Sequence, residues 1–107
     1  MAAYVFIESR DPFESRDTEF VEQTAVSLKE RGHPVTVFLV QNGVLAARKN
    51  TGRLRRLAEA GVKLLADDLS LRERGIQAGE LAQGIKESRI DTLVDAIAQP
   101  NTKAIWH

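Results

Sequence analysis

Seven residues of this chain have side chains and spacings suited to binding or chemistry: Ser9, Asn42, Asp67, Asp68, Ser70, Arg72 and Arg74. Five of them fall in one stretch, Val62 to Ile76, which begins as a strand, runs into an acidic loop and closes at Gly75. In an open α/β sheet, ligands gather at the carboxyl ends of strands, so this loop is placed where a site belongs. Asp67 and Asp68 are a carboxylate pair, but adjacent residues rarely converge on one proton or metal ion, and the pair argues only weakly for acid–base catalysis. A structural role is the simpler one: Asp68 or Ser70 can accept from the free N–H groups of a following turn. Arg72 and Arg74 are natural partners for a carboxylate or phosphate. With the loops Glu8–Asp11 and Gln41–Gly43, which bring Ser9 and Asn42, they would form a site for a small anionic ligand.

Other chemistries lack their residues. The chain has no cysteine, which removes disulfides, thiolate zinc sites and any persulfide or thiol nucleophile on this chain. His33 and His107 are isolated, so no metal site is expected, and His33 beside Pro34 reads as a carbonyl-capping residue at a helix end. The loop after the first strand, Glu8 to Phe13, has no glycine to admit a pyrophosphate, and there is no P-loop, so no cofactor is expected. Asn42-Gly43 is ordinary turn chemistry. Fifteen basic and fifteen acidic residues leave no net field to attract nucleic acid or an anionic membrane. Arg53, Arg55 and Arg56 read as a solvated helix face. No apolar run reaches membrane-spanning length and the apolar start lacks a basic leader, so a cytoplasmic protein is expected.

The elements that must position these residues alternate between strand and helix. Tyr4 to Ile7 is a continuous apolar run, the pattern of a strand buried on both faces. Val21, Ala25 and Leu28 recur at helical spacing between Asp17 and Arg31. Asp17 or Ser15 is placed to cap that helix, and Gly32 and Pro34 to end it. Val35 to Val40 is the next strand. Short helices are expected over Val44 to Lys49 and Leu54 to Ala60, and a third strand over Val62 to Ala66. The segment Gln77 to Lys86 has no clear pattern. Ser88-Arg89-Ile90-Asp91 looks like a capping box before a helix with Ile90, Leu93, Val94 and Ile97 on one side. Lys103 to Trp106 is a last strand, with Trp106 in the core or at an interface. This order predicts a single domain over 1–107: a small three-layer α/β/α fold with a mainly parallel sheet of four to five strands. Four strands are expected near 3–8, 34–40, 62–66 and 103–106, and the main helices near 16–31 and 89–98. So small a sheet gains from burying an edge or a helix face against another subunit.

Several stretches, in register over nearly the whole chain, carry a family resemblance. They are Tyr4-Val5-Phe6-Ile7, Gly32 to Val40 with Asn42-Gly43-Val44, Leu57 with Ala60-Gly61-Val62, Arg74-Gly75-Ile76, and Leu93 to Trp106. The chain resembles the DsrE/DsrF/DsrH-like superfamily, which includes sulfur-relay subunits. In active members the loop after the third strand carries one or two cysteines shortly before an Arg-Gly pair. Anchored on Arg74-Gly75, the first of these positions falls on Asp67 and the second on Ser70, and the resemblance implies that a persulfide would be carried at the first. Neither a carboxylate nor a serine hydroxyl can hold sulfane sulfur. The resemblance therefore implies the fold, assembly into oligomers with this loop near subunit contacts, and no sulfur transfer by this chain.

Two readings follow. The first is a DsrE-like structural or binding subunit, self-associating or paired with cysteine-bearing relatives, with no membrane or nucleic-acid partner. The second is a small anionic-ligand-binding protein or enzyme using the loop Asp67–Arg74.

Overall fold

Five strands pair into one wholly parallel sheet in a computed structural model that describes residues 1–107. They are β1 (Ala3–Glu8), β2 (Val35–Leu39), β3 (Lys63–Asp67), β4 (Ile85–Ser88) and β5 (Thr102–Trp106), in the spatial order β4-β3-β2-β1-β5. The chain builds outward from β1 through β2 and β3 to β4, then returns across the sheet to lay β5 on the other side of β1. Strand order thus reverses between β1 and β5. The four expected strands and both main helices form: α1 spans Thr18–Glu30 and α4 spans Ile90–Ile97. Between them lie a 3-10 segment Gln41–Ala47, α2 (Arg55–Glu59) and α3 (Asp68–Glu73).

The fifth strand, β4, begins at the end of the segment Gln77 to Lys86, which has no clear pattern, and runs on to Ser88, the residue read as a helix cap. Its residues are Ile85, Lys86, Glu87 and Ser88, of which only Ile85 is buried. It is an edge strand, where charged side chains are tolerated because one side of the ladder is open. In that same segment, Gln77 and Glu80 form a capping box around a short 3-10 turn. The capping box expected at Ser88 does not form. The residue flanking α4 is Arg89, without a side-chain cap, and the Ser88 hydroxyl donates to the Arg89 carbonyl instead. Gly32 ends α1 as expected: at φ +89° it supplies the left-handed residue, Gly32 N–H donates to Lys29 and His33 N–H to Leu28. His33 Nδ1 lies 3.0 Å from the Ala2 carbonyl.

Register divides the sheet into two unlike faces. Phe6, Val37, Leu39, Leu64 and Ala66 face α1, α2, α3 and the 3-10 segment, and with Val21, Ala25, Val44, Leu57 and Leu71 form a core cluster of 17 buried residues. Val5, Ile7, Phe38, Val40 and Leu65 face the other way and are joined by one helical residue, Leu93 of α4, in a cluster of 6. One helix of eight residues, about 12 Å long, covers a face that needs more. Trp106 pairs with Ile7 and so points to this thinly covered side, where it is 64% exposed. It is not a core residue.

Candidate functional site

The acidic loop is a closed hydrogen-bonded unit. β3 ends at Asp67, whose side chain turns back to cap α3, accepting from Ser70 N–H at 3.1 Å and from the Ser70 hydroxyl at 2.7 Å. Asp67, and not Asp68 or Ser70, is therefore the capping residue. The Ser70 oxygen in turn accepts from the Gln41 backbone N–H at 2.8 Å, tying the end of β2 to the start of α3. Gln41 is held at φ 50°, a conformation that a non-glycine residue adopts only where its surroundings impose it. Asp67 and Ser70 are both buried, and every buried polar side-chain atom of the protein has a partner.

Arg74 joins the unit from the end of α3. Its Nε and Nη2 both donate to the Asn42 side-chain oxygen, at 3.1 and 3.0 Å, and Nη1 donates to the Ser70 carbonyl at 3.2 Å. The fork that would clamp an anion is occupied by an amide and a carbonyl. Asn42, Asp67, Ser70 and Arg74 are thus brought together by the segments that follow neighbouring β2 and β3. Asp68 is the first residue of α3 and half-buried; Arg72 is exposed and makes no ion pair. Ser9 lies elsewhere, past the end of β1, with β2 between it and the Asp67 loop; its hydroxyl donates to the His107 carbonyl at 2.9 Å. The three main clefts are lined without Asn42, Asp67, Ser70, Arg72 or Arg74. No group of three or more His, Asp or Glu is placed to hold a metal ion.

A second cluster, not singled out by spacing, lies where strand order reverses. Glu8 ends β1 and is 5% exposed; His107 follows β5 and reaches it with Nδ1 at 2.8 Å from Oε2. Burial pushes the Glu8 carboxyl above its usual range. The His107 side chain and the Arg10 backbone N–H, which hydrogen-bond the carboxylate, pull against that shift. The Glu8 carbonyl accepts from Val40 N–H at 3.0 Å and crowds Gly43, where an added Cβ would collide with it. Gly43 therefore serves close backbone approach rather than turn conformation alone. One signal for Glu8 was present in the chain: it shares the alternation of Tyr4 and Phe6, so its carboxylate had to face the main core. His107 stands in the same relation to Ile105, two positions before it.

Beside Glu8 a cleft of about 540 Å³ opens between α1 and α2, floored by Val37 and Leu39 and rimmed by arginine and glutamate side chains. Arg53 stacks over the Phe13 ring at 4.5 Å, and Arg56 pairs with Glu22 at 3.3 Å.

Fold and loop together define a small parallel α/β domain whose β3–α3 junction is closed by the capping carboxylate of Asp67. The family model described as DsrE/DsrF-like matches residues 2–105, and the chain belongs to that family. Two solved structures share the fold over 100% of both chains. YchN from E. coli has a TM-score of 0.89 at 17% identity, and MTH1491 from Methanobacterium thermoautotrophicum, described as a protein of unknown function, has 0.82 at 19%. No curated protein matches the sequence. No helix is long and apolar enough to cross a membrane.

Proposed function

We propose that this chain is a non-catalytic, cytoplasmic structural or binding subunit of a DsrE-like assembly, formed with copies of itself or with cysteine-bearing relatives. One observation carries the reading: the position that the resemblance places at the sulfur carrier, Asp67, is a buried carboxylate whose two donors, the Ser70 N–H and hydroxyl, both come from the helix it caps, in a loop that lines no main cleft. Such a loop has become part of the scaffold. The rival reading, an anionic-ligand site built on Asp67 to Arg74, loses support because Arg74 is already engaged by Asn42 and Ser70.

Association is supported by the thinly covered face. Ile90, Val94 and Ile97 recur at i, i+4 and i+7 on the outer side of α4 and are 41 to 54% exposed, with Trp106 on the same side of the sheet. Their side chains expose roughly 400 Å² of apolar surface, within the range of patches that mark interaction sites and about half of what one partner buries in a stable interface. Multi-angle light scattering at high micromolar concentration tests the reading. An oligomer is expected, and Val94→Asp should shift it toward monomer. A wild-type chain that stays monomeric, and that also fails to co-assemble with a cysteine-bearing relative, overturns the proposal.

A further inference from the structure

We propose that β5 pairs antiparallel with β5 of a second copy, about a two-fold axis at Ala104, so that the two sheets become one and each Trp106 lies across Thr102 of the other copy. The inference rests on the self-association proposed above and names its contact.

The two edges of the sheet differ. β4, at one edge, carries Lys86 and Glu87 at successive positions, so a charge projects on each face, and such charges keep an edge from pairing. β5, at the other, reads Thr102-Lys103-Ala104-Ile105-Trp106 and carries one charge. Parity fixes which of its backbone groups are free. The Asn101 carbonyl accepts from Ala3 N–H, His107 N–H donates to Ile7, and the His107 carbonyl accepts from Ser9 N–H, so the odd-numbered residues face β1. The alternate residues turn the other way. The N–H and C=O groups of Thr102, Ala104 and Trp106 therefore point to the open edge, with no neighbouring strand to meet them.

Self-pairing in one register uses all of these groups. With Ala104 opposite its own copy, Thr102 falls opposite Trp106 and Trp106 opposite Thr102, each a hydrogen-bonded pair. Sliding the register by one pair brings Lys103 opposite Lys103 and Trp106 opposite Pro100, which has no N–H. Sliding it the other way carries Thr102 past the end of the partner strand.

The side chains fit the same register. Thr102, Ala104 and Trp106 pair with Ala3, Val5 and Ile7 and share their face, the one that only α4 covers. Trp106 is 64% exposed, and the small residues Thr102 and Ala104 leave a track on one strand for the indole of the other. On the opposite face Lys103 falls opposite Ile105, so its aliphatic stem covers a half-buried side chain and no like charges oppose each other.

Area favours a second copy over a lone peptide strand. The patch on α4 and Trp106 supplies about half of what one partner buries in a stable interface. α4 packs beside β5, and the two-fold axis stands normal to the sheet, so the α4 helices of both copies lie on one face and flank the seam. A peptide strand would bring the hydrogen bonds but no second apolar helix.

The chain has no cysteine and one tryptophan, so two probes are free of background. Ala104→Cys sets two thiols on Cα atoms about 5.5 Å apart in this register, within disulfide reach. Mild oxidation at micromolar concentration should cross-link it at least tenfold faster than Glu87→Cys on the β4 edge. Trp106 emission of the wild type should shift to the red on dilution, as light scattering passes from dimer toward monomer. Ala104→Glu, which opposes two carboxylates at an exposed position, should weaken association at least tenfold with far-UV circular dichroism unchanged. Cross-linking no faster than the β4 control, emission unchanged across dissociation, an odd-numbered wild-type assembly, or a folded Ala104→Glu that associates like wild type would each overturn this contact while leaving self-association standing. A monomeric wild type would overturn it too, whereas the reading above fails only if co-assembly with a cysteine-bearing relative fails as well.

Discussion

Replacing Asp67 with alanine removes two interactions at once. The cap on Ser70 N–H is worth about 1 kcal/mol, and the 2.7 Å hydroxyl bond to a buried carboxylate is worth roughly 1.5–3 kcal/mol. The two share one acceptor oxygen and are not independent, so the combined loss is about 3 kcal/mol. Asp67 also orients the Ser70 hydroxyl, whose oxygen accepts from the Gln41 N–H, so the damage spreads to the end of β2. For a chain of this size, 3 kcal/mol lowers Tm by about 12 °C. Urea unfolding followed by circular dichroism measures it, with an unchanged m-value as the check that the denatured state is comparable. Asp68→Ala is the control. Asp68 lies in the first turn of the same helix with the same charge, so its removal sacrifices only a dipole interaction of about 0.3–1 kcal/mol. The double variant Asp67→Ala with Ser70→Ala should cost well under the sum of the two single changes, because each breaks the same bond. If Asp67→Ala falls within 0.5 kcal/mol of Asp68→Ala, the carboxylate does not organise this loop, and the argument that a scaffold role has replaced chemistry fails.

Three further outcomes follow from the same geometry. Asp67→Cys places a thiol at a position only 7% exposed, and its reaction with an aromatic disulfide reagent in the folded protein should be at least tenfold slower than in urea; equal rates would mean an open site. Gly43→Ala should cost on the order of 3 kcal/mol or prevent folding, read by urea unfolding or soluble yield, because the new methyl meets the Glu8 carbonyl, which is backbone and anchored by Val40. The Glu8 carboxyl titrates higher in the folded chain than in the unfolded one, so the native state holds more protons in the window just above 4.5. Its contribution to stability is therefore full below 4.5 and is lost as pH rises through the folded value. Glu8→Gln should remove that loss, and its stability relative to wild type should grow from pH 4 to pH 7; a constant difference would show that burial does not govern this group.

Most of the fold was readable because its signals are local. Continuous apolar runs in β1, β2 and β3 marked buried parallel strands. Helical spacing marked α1 and α4, and Gly32 with Pro34 marked the end of α1. The missing cysteine is likewise a sequence fact, and it excludes a persulfide on this chain without any coordinates. What the chain could not reveal were the properties that depend on neighbours. β4 has one buried residue and two charges, and it is a strand only because β3 offers a free edge. Trp106 is apolar by type, yet its register with Ile7 puts it on the face that only α4 covers. Asp67 and Asp68 are chemically alike and adjacent in sequence. Tertiary structure separates them, since only Asp67 sits at the strand-to-helix junction where its oxygen meets Ser70. Glu8 and His107 are 99 residues apart. Their pairing exists because the crossover after β4 returns β5 to the side of β1, and that return depends on the whole sheet, not on any stretch of the chain that could be read alone.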